Sequence, residues 1–176
     1  MNKSQNIIWI DCEFTSIDYK AAEIIQIAIV VTDKDLNILK EPLSININHS
    51  DEKLNMASEW VLKTIPDVVQ SSRDSDISIQ QAEDMCLEYL SDITDRGISQ
   101  MAGNSIGSDR HMLYYKMPKL EAWCHYRNID VSTLKELAER WKPELLDQVK
   151  KKETHYALDD ILESIEELRT YKKLFD

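Results

Sequence analysis

Apolar and polar positions change period several times along the chain, and each change marks an element. Ile7-Ile8-Trp9-Ile10 is a short apolar run that stops abruptly at Asp11. Ile24 to Thr32 (I-I-Q-I-A-I-V-V-T) is β-branched and almost wholly apolar, which predicts a strand buried on both faces. Asp33 to Asn37 reads as a turn. Ile38 to Ile47 reads as a third strand, with Pro42 pointing to an edge position because proline cannot donate to a ladder. Helical spacing follows. Ser78 with Gln81 forms a capping box ahead of Ile79, Ala82, Cys86, Tyr89 and Ile93. Thr133 with Glu136 forms another, ahead of Leu134, Leu137, Ala138 and Trp141. A last helix is predicted from about Tyr156 to Lys172, with Ala157, Ile161, Ile165 and Leu168 facing inward. Short strands fit at Gln100–Gly103 and Ile129–Val131. Three strands followed by strands alternating with helices predict an α/β fold, a mixed sheet covered on both faces.

The 176 residues fit one domain, and a core of that size needs no disulfide or structural metal. There is no internal repeat and no Pro/Gly-rich linker. Cys12, Cys86 and Cys124 form no C-x-x-C pair and leave one unpaired, which suits a reducing compartment. The polar stretch before Ile7 leaves no room for a signal peptide, and no run approaches a membrane span, so a cytoplasmic protein is expected. Charge narrows the partners further. Twenty-one Lys and Arg against 32 Asp and Glu give −11, and proteins that hold long duplexes carry a basic excess instead. An acidic nucleic-acid enzyme requires a small substrate, or acids neutralised by metal.

Candidate chemistry begins at Asp11-Cys12-Glu13. Side chains at i and i+2 of a strand point the same way, roughly 6.6 Å apart along the chain. Two carboxylates thus leave the C-terminal end of a buried strand together, where α/β sheets place ligand crevices. Their hard oxygens suit Mg²⁺ or Mn²⁺; a solvated acidic strand end is the plain alternative. Asp109 follows Gly103-Asn104-Ser105-Ile106-Gly107-Ser108, between a short strand and a helix, where an ordinary helix-capping acid is also expected. The two glycines do not have P-loop spacing. His155, at a helix start, has the chemistry of a general base or of a surface cap. Within a helix His155 would share a face with Asp159, whereas Asp160 would lie about 140° away. A His155 placed in the preceding loop escapes that constraint. His49, His111 and His125 are scattered, with no spacing to the cysteines that would make a zinc site.

W-I-D-C-E-F-T, G-N-S-I-G-S-D-R, H-Y-R-N-I-D-V-S-T-L-K-E-L-A-E-R-W-K-P-E and T-H-Y-A-L-D-D-I, in this order and spacing, resemble the oligoribonuclease family. That family belongs to the DEDD exonucleases, in the branch with a histidine base. The resemblance covers nearly the whole chain. It implies a ribonuclease H-like (exonuclease) fold with a mixed five-stranded sheet flanked by helices, and a single exonuclease domain over 1–176. The implied activity is 3′→5′ hydrolysis of very short RNA, dinucleotides especially, to 5′-mononucleotides. The resemblance assigns Asp11, Glu13, Asp109 and Asp160 to two divalent cations, Mg²⁺ or Mn²⁺, and His155 as general base, the family pattern being His-x4-Asp. A sister branch uses Tyr-x3-Asp, which Tyr156 and Asp160 also satisfy, but the flanking residues favour histidine.

The same resemblance assigns Ser105, Arg127 and Ser132 to the substrate's terminal phosphate. Trp60 and Ile17 are implied base-stacking positions, and Tyr126 one that reaches over from the partner of a homodimer. Ser16-Ile17 departs from an expected Gly-Leu, Ile65 from a histidine, and Asp67-Val68-Val69 from Ser-Gly-Leu. A plain alternative for Trp60 is a partly buried core residue. Two rival functions are a DNA-proofreading-type exonuclease sharing the acids, against which the H-Y-R…S-T block speaks, and a non-catalytic metal- and nucleotide-binding module.

Overall fold

The protein, seen in a computed structural model that describes residues 3–150 and 155–175, is built on β1 (Ile7–Phe14), the strand on which the site depends. It runs antiparallel to β2 (Ile24–Thr32), which pairs antiparallel with β3 (Leu43–Asn46). On its other side β1 is parallel to β4 (Gln100–Gly103), which is parallel to β5 (His125–Asp130). The order β3-β2-β1-β4-β5 is that of the expected mixed five-stranded sheet, with β1 at its centre.

Alternation along β1 divides the core between two faces. Ile8, Ile10 and Cys12 pack with Ala82, Cys86 and Leu90 of α4 (Ile79–Ser91), Met112 and Leu113 of α5 (Gly107–Lys116) and Leu120 of α6 (Pro118–Glu121). Ile7 and Trp9 face the opposite way, against Val131 and Ala138 of α7 (Val131–Trp141) and Ala157, Ile161 and Ile165 of α8 (Ala157–Tyr171). Trp9 is fully buried, and its indole N–H donates to Thr32 Oγ1 at 3.0 Å. The short helices α1 (Asp51–Asn55), α2 (Glu59–Thr64) and α3 (Pro66–Asp74) cover Ile25 of β2.

Several boundaries differ from the sequence expectation, each for a local reason. The third strand is shorter than 38–47: Pro42 removes a ladder donor, pairing starts at Leu43, and Ile38 makes only an isolated bridge to Thr32. The edge position read from Pro42 holds. The strand expected at 129–131 is His125–Asp130, and Val131 already belongs to α7. The helix is capped by the Asp130 side chain, which accepts from Ser132 N, so the Thr133–Glu136 box is not its N-terminus. Trp141, read as part of the apolar stripe of α7, is 67% exposed. The Ser78–Gln81 capping box forms as expected, with both reciprocal bonds. Asp33 organises the 33–37 turn by accepting from Asp35 N and Asn37 N. Among the described residues no helix is long and apolar enough to cross a membrane.

Leu90 is fully buried between α4 and the sheet, whereas Met56 is exposed at the end of α1. Leu90→Ala should lower unfolding free energy by about 2–5 kcal/mol in urea titration, and Met56→Ala by no more than about 0.5 kcal/mol. Equal effects would contradict this core.

Candidate active site

The face of β1 that carries Ile7 and Trp9 continues through Asp11 and Glu13, so the pleat that buries two apolar side chains presents two carboxylates one turn of the alternation later. Parallel pairing with β4 ends at Trp9↔Ala102, and the chain then leaves the sheet through Gly103 and Asn104. This opens a crevice at the carboxyl ends of β1 and β4. Gly103 lets the chain pass closely there: a Cβ would lie 3.1 Å from Ile10 O and 3.1 Å from Ile106 Cδ1, so these neighbours would have to shift. Beyond that point the β4 side of β1 lacks a strand partner, and Asp109 replaces it. Sitting in the first turn of α5 and only 6% exposed, Asp109 accepts the Cys12 N–H on Oδ1 at 3.0 Å.

The fourth carboxylate arrives from α8. The buried Gln26 side chain, on β2 opposite Glu13, accepts from Ala157 N at 3.1 Å and fixes where the helix begins. Asp160, in the first turn, brings a carboxylate oxygen within 4.8 Å of oxygens of Asp11 and Glu13. Asp159 is exposed and outside this group. His155 precedes the helix, which is capped at Tyr156, and its φ of 55° is left-handed. The helical-wheel separation of His155 from Asp160 therefore does not apply. The His155 ring meets Trp60 edge-on at 5.6 Å. Trp60 lies on α2, which is tied to the end of β1 where Ser58 N donates to Thr15 O at 2.8 Å. It is 55% exposed, so the core reading of Trp60 does not hold. Thr154, from the T-H-Y-A run, lies outside the described residues.

Burial and like charge raise the proton affinity of this cluster. Burial first, then Asp109, Glu13 and Asp160, hold the Asp11 carboxyl well above the ordinary carboxylate range. Glu13 is pushed up to about 8 by burial and then by Asp160 and Asp109. Asp109 is pushed up to about 7 by burial, against the lowering effect of the Cys12 N–H. A cluster of crowded, hard carboxylate oxygens is the donor set that a divalent cation of the Mg²⁺ class satisfies. Cys12 does not contribute: it points to the opposite core, and burial raises its thiol.

Between the end of β4 and the start of α7 the structure joins Ser105 and Ser132, whose hydroxyls are 3.2 Å apart. Sequence reasoning missed what holds them. Asp130 Oδ1 accepts from both Ser105 N and Ser132 N, at 3.0 Å each, and Asn104 Oδ1 accepts from Ser132 Oγ at 3.1 Å. The D-V-S step before an apolar helical run was the available cue for Asp130. Arg127 and Tyr126 are exposed on β5, the guanidinium 5.2 Å from the Tyr126 ring. Ile17 is 91% exposed in the loop after β1. Where the departures occur, Ser16 Oγ accepts from Asp18 N, and Ile65 is buried at the junction of α2 and α3.

Comparison with known proteins agrees with this geometry. The model of an exonuclease family matches residues 8–168. An oligoribonuclease from Pseudomonas fluorescens is 48% identical over 177 residues, covering 99% of this chain and 98% of that one. One from Actinobacillus pleuropneumoniae is 44% identical, covering 98% and 95%. Among solved structures, a zinc-bound complex of E. coli exonuclease I with single-stranded DNA superimposes with a TM-score of 0.73 at 15% identity, over 97% of this chain and 41% of that chain. Exonuclease I from Methylocaldum szegediense gives 0.70 at 18%, over 96% and 40%, so this chain spans about two-fifths of those enzymes. These likenesses establish the ribonuclease H-like exonuclease fold. With close relatives matched along nearly their full length, the chain belongs to the oligoribonuclease family of exonucleases.

Proposed function

We propose that this protein is a 3′→5′ exoribonuclease that hydrolyses very short RNA, dinucleotides above all, to 5′-mononucleotides within a single exonuclease domain. The observation that carries the reading is the meeting of Asp11, Glu13 and Asp160 within 4.8 Å beside the buried Asp109, in a chain of the oligoribonuclease family. Two divalent cations, Mg²⁺ or Mn²⁺, are the proposed occupants. Asp11, Glu13 and Asp160 would hold them, with the buried Asp109 alongside. When bound, such ions supply positive charge that neutralises the acids and offsets the charge building on a phosphate under in-line attack.

The chain's own residues do the rest. His155, outside the helix and braced edge-on by Trp60, accepts the proton of the attacking water. A new P–O bond forms to that water, the P–O3′ bond breaks with O3′ taking up a proton from solvent, and a 5′-mononucleotide leaves. Trp60 and Ile17, both exposed, offer apolar surface to the bases. The Ser105–Ser132 pair, with Arg127, forms the contact for the terminal phosphate. Tyr126, 72% exposed, is proposed to reach the active site of a partner in a homodimer. The net charge of −11 fits a substrate with few phosphates, since long RNA meets a repulsive field. We place the activity in the cytoplasm.

Dinucleotide hydrolysis, followed by chromatography with Mn²⁺ or with chelator, tests the reading. Metal-dependent cleavage should fall by about 10²–10⁴-fold in His155→Ala and at least as far in Asp11→Ala. A wild type that trims a long strand as fast as a dinucleotide would sink the short-substrate proposal.

The raised carboxyls make a second, independent prediction about the metal-free protein. A group that binds its proton more tightly when folded favours folding at low pH, and that contribution is lost as pH rises from its unfolded pKa through its folded one. For Glu13 and Asp109 the window therefore runs from the ordinary carboxylate range up to about 8 and about 7. In chelator, the wild-type melting temperature should fall more steeply from pH 5 to pH 8 than that of Glu13→Gln, by a few degrees. Mn²⁺ at pH 8 should restore the wild type more than the variant. Parallel pH profiles for the two proteins would refute the electrostatic account.

A further inference from the structure

Gln26 is a polar residue inside the apolar run of β2, and it is buried. The register places it between Glu13 of β1 and Asn46 of β3, so the three side chains form a row on the face of the sheet that α8 covers. Both ends of its amide are used. Oε1 accepts from Ala157 N at 3.1 Å, and Nε2 donates to Asn46 Oδ1 at 2.7 Å. A backbone N–H can only donate, so Oε1 must face α8, and the amide cannot turn over without losing the helix.

The helix needs this partner. Ala157 is the first residue of α8, and its N–H is one that no helical turn satisfies. Tyr156, at the cap position, makes no side-chain cap, whereas Ser50, Ser58, Ser78 and Asp130 cap α1, α2, α4 and α7. The cap comes instead from β2, 131 residues away in sequence. Ala157 and Asp160, at i and i+3, are neighbours on one side of the helix. Holding Ala157 N on the strand that flanks Glu13 therefore fixes where the Asp160 carboxylate stands, within 4.8 Å of Asp11 and Glu13. Farther along α8, Ile161 and Ile165 pack without direction, and the Asn104 amide nitrogen lies 2.8 Å from both Ser164 Oγ and Glu167 Oε2. Those contacts hold the body of the helix. Its first turn, where helices fray and where the acids repel, is held by Gln26.

We propose that Gln26 is a positioning residue of the cation site: by capping α8 from the sheet, it sets the separation of Asp160 from Asp11 and Glu13, and with it the affinity for the divalent ion. The inference rests on the proposed occupancy of these acids by Mg²⁺ or Mn²⁺. Gln26 acts through the main chain of α8, and Asn46 acts one step further back by orienting the Gln26 amide.

Mn²⁺ titration of the full chain by isothermal calorimetry tests this with two substitutions. Gln26→Met keeps the length of the side chain but offers Ala157 N–H no oxygen; Gln26→Glu keeps one. Gln26→Met should bind Mn²⁺ about 10–100-fold more weakly, the usual effect of removing a group that orients a metal ligand. Gln26→Glu should bind no more weakly than the wild type. Unchanged affinity in Gln26→Met, or equal losses in both variants, would overturn the proposal. Dinucleotide cleavage gives a second readout. The Mn²⁺ concentration for half-maximal rate should rise in Gln26→Met by the factor seen in calorimetry, while the rate at saturating Mn²⁺ approaches that of the wild type. A rate depressed equally at every Mn²⁺ concentration would make Gln26 merely structural and overturn its assignment. If Gln26→Met does not fold, Asn46→Ala decides. There the Gln26 amide loses the bond that orients it, and Mn²⁺ affinity should fall by about two- to tenfold, the worth of one neutral hydrogen bond; no fall would count against the proposal in the same way. A folded wild type that binds no Mn²⁺ would defeat the cation reading itself, an outcome distinct from wild type and variants that bind alike.

Discussion

Mutual repulsion among crowded, part-buried carboxylates is the constraint around which the rest of the molecule is arranged. Asp11, Glu13 and Asp160 crowd within 4.8 Å of one another, with Asp109 buried alongside. Left to themselves, such groups would move apart or take up protons. They stay because each is held by an element packed for other reasons. β1 is anchored by Ile8, Trp9 and Ile10, all essentially without exposure; α8 is anchored by Ala157, Ile161 and Ile165; and Asp109 is tied to the Cys12 N–H. The core thus opposes the electrostatics, and a bound cation would turn the same repulsion into affinity.

That arrangement also explains why the site lies at one end of the sheet and not across it. A central strand pairs on both sides along its buried length, and nothing polar can be reached there. Only where β4 departs at Gly103 does β1 lose a neighbour, and only there can a side chain from α5 replace it. The opening that admits a substrate and the orphan N–H that positions Asp109 have the same cause.

Much of this was legible in the sequence, and what was not has identifiable reasons. The almost wholly apolar run of β2 and the abrupt change at Asp11 marked two buried strands, because double burial and a strand end leave strong local marks. The question between Asp159 and Asp160 was not decidable from spacing, since it turned on whether His155 lies inside the helix. Its φ of 55° and the cap at Tyr156 place it outside. The start of α7 was misplaced because Thr133–Glu136 has the form of a capping box, while Asp130 reaches Ser132 N first and holds Ser105 N as well. Helices α1 to α3 left weaker traces: Ser50, Ser58 and Pro66 mark their starts, but each runs too briefly for a periodic pattern to show. The polar network of Asn104, Ser164 and Glu167 could not be read at all, because 60 or more residues separate Asn104 from its α8 partners.

The same network bears on how an acidic protein can hold an anionic substrate. An arginine cluster would bind phosphate strongly but without regard to length, since any phosphodiester presents the same charge. Neutral donors behave differently. A serine hydroxyl and a backbone turn held at a fixed place contribute only when a phosphate oxygen arrives at that place, at a set distance from the acids. Asn104 links the two ends through part-buried, directional bonds, to Ser132 on one side and through Ser164 to the Asp160 carbonyl on the other. On the proposed reading, selection for a short substrate would be a matter of spacing between rigid parts, and the negative charge of −11 would cost little because a longer strand gains no further contact.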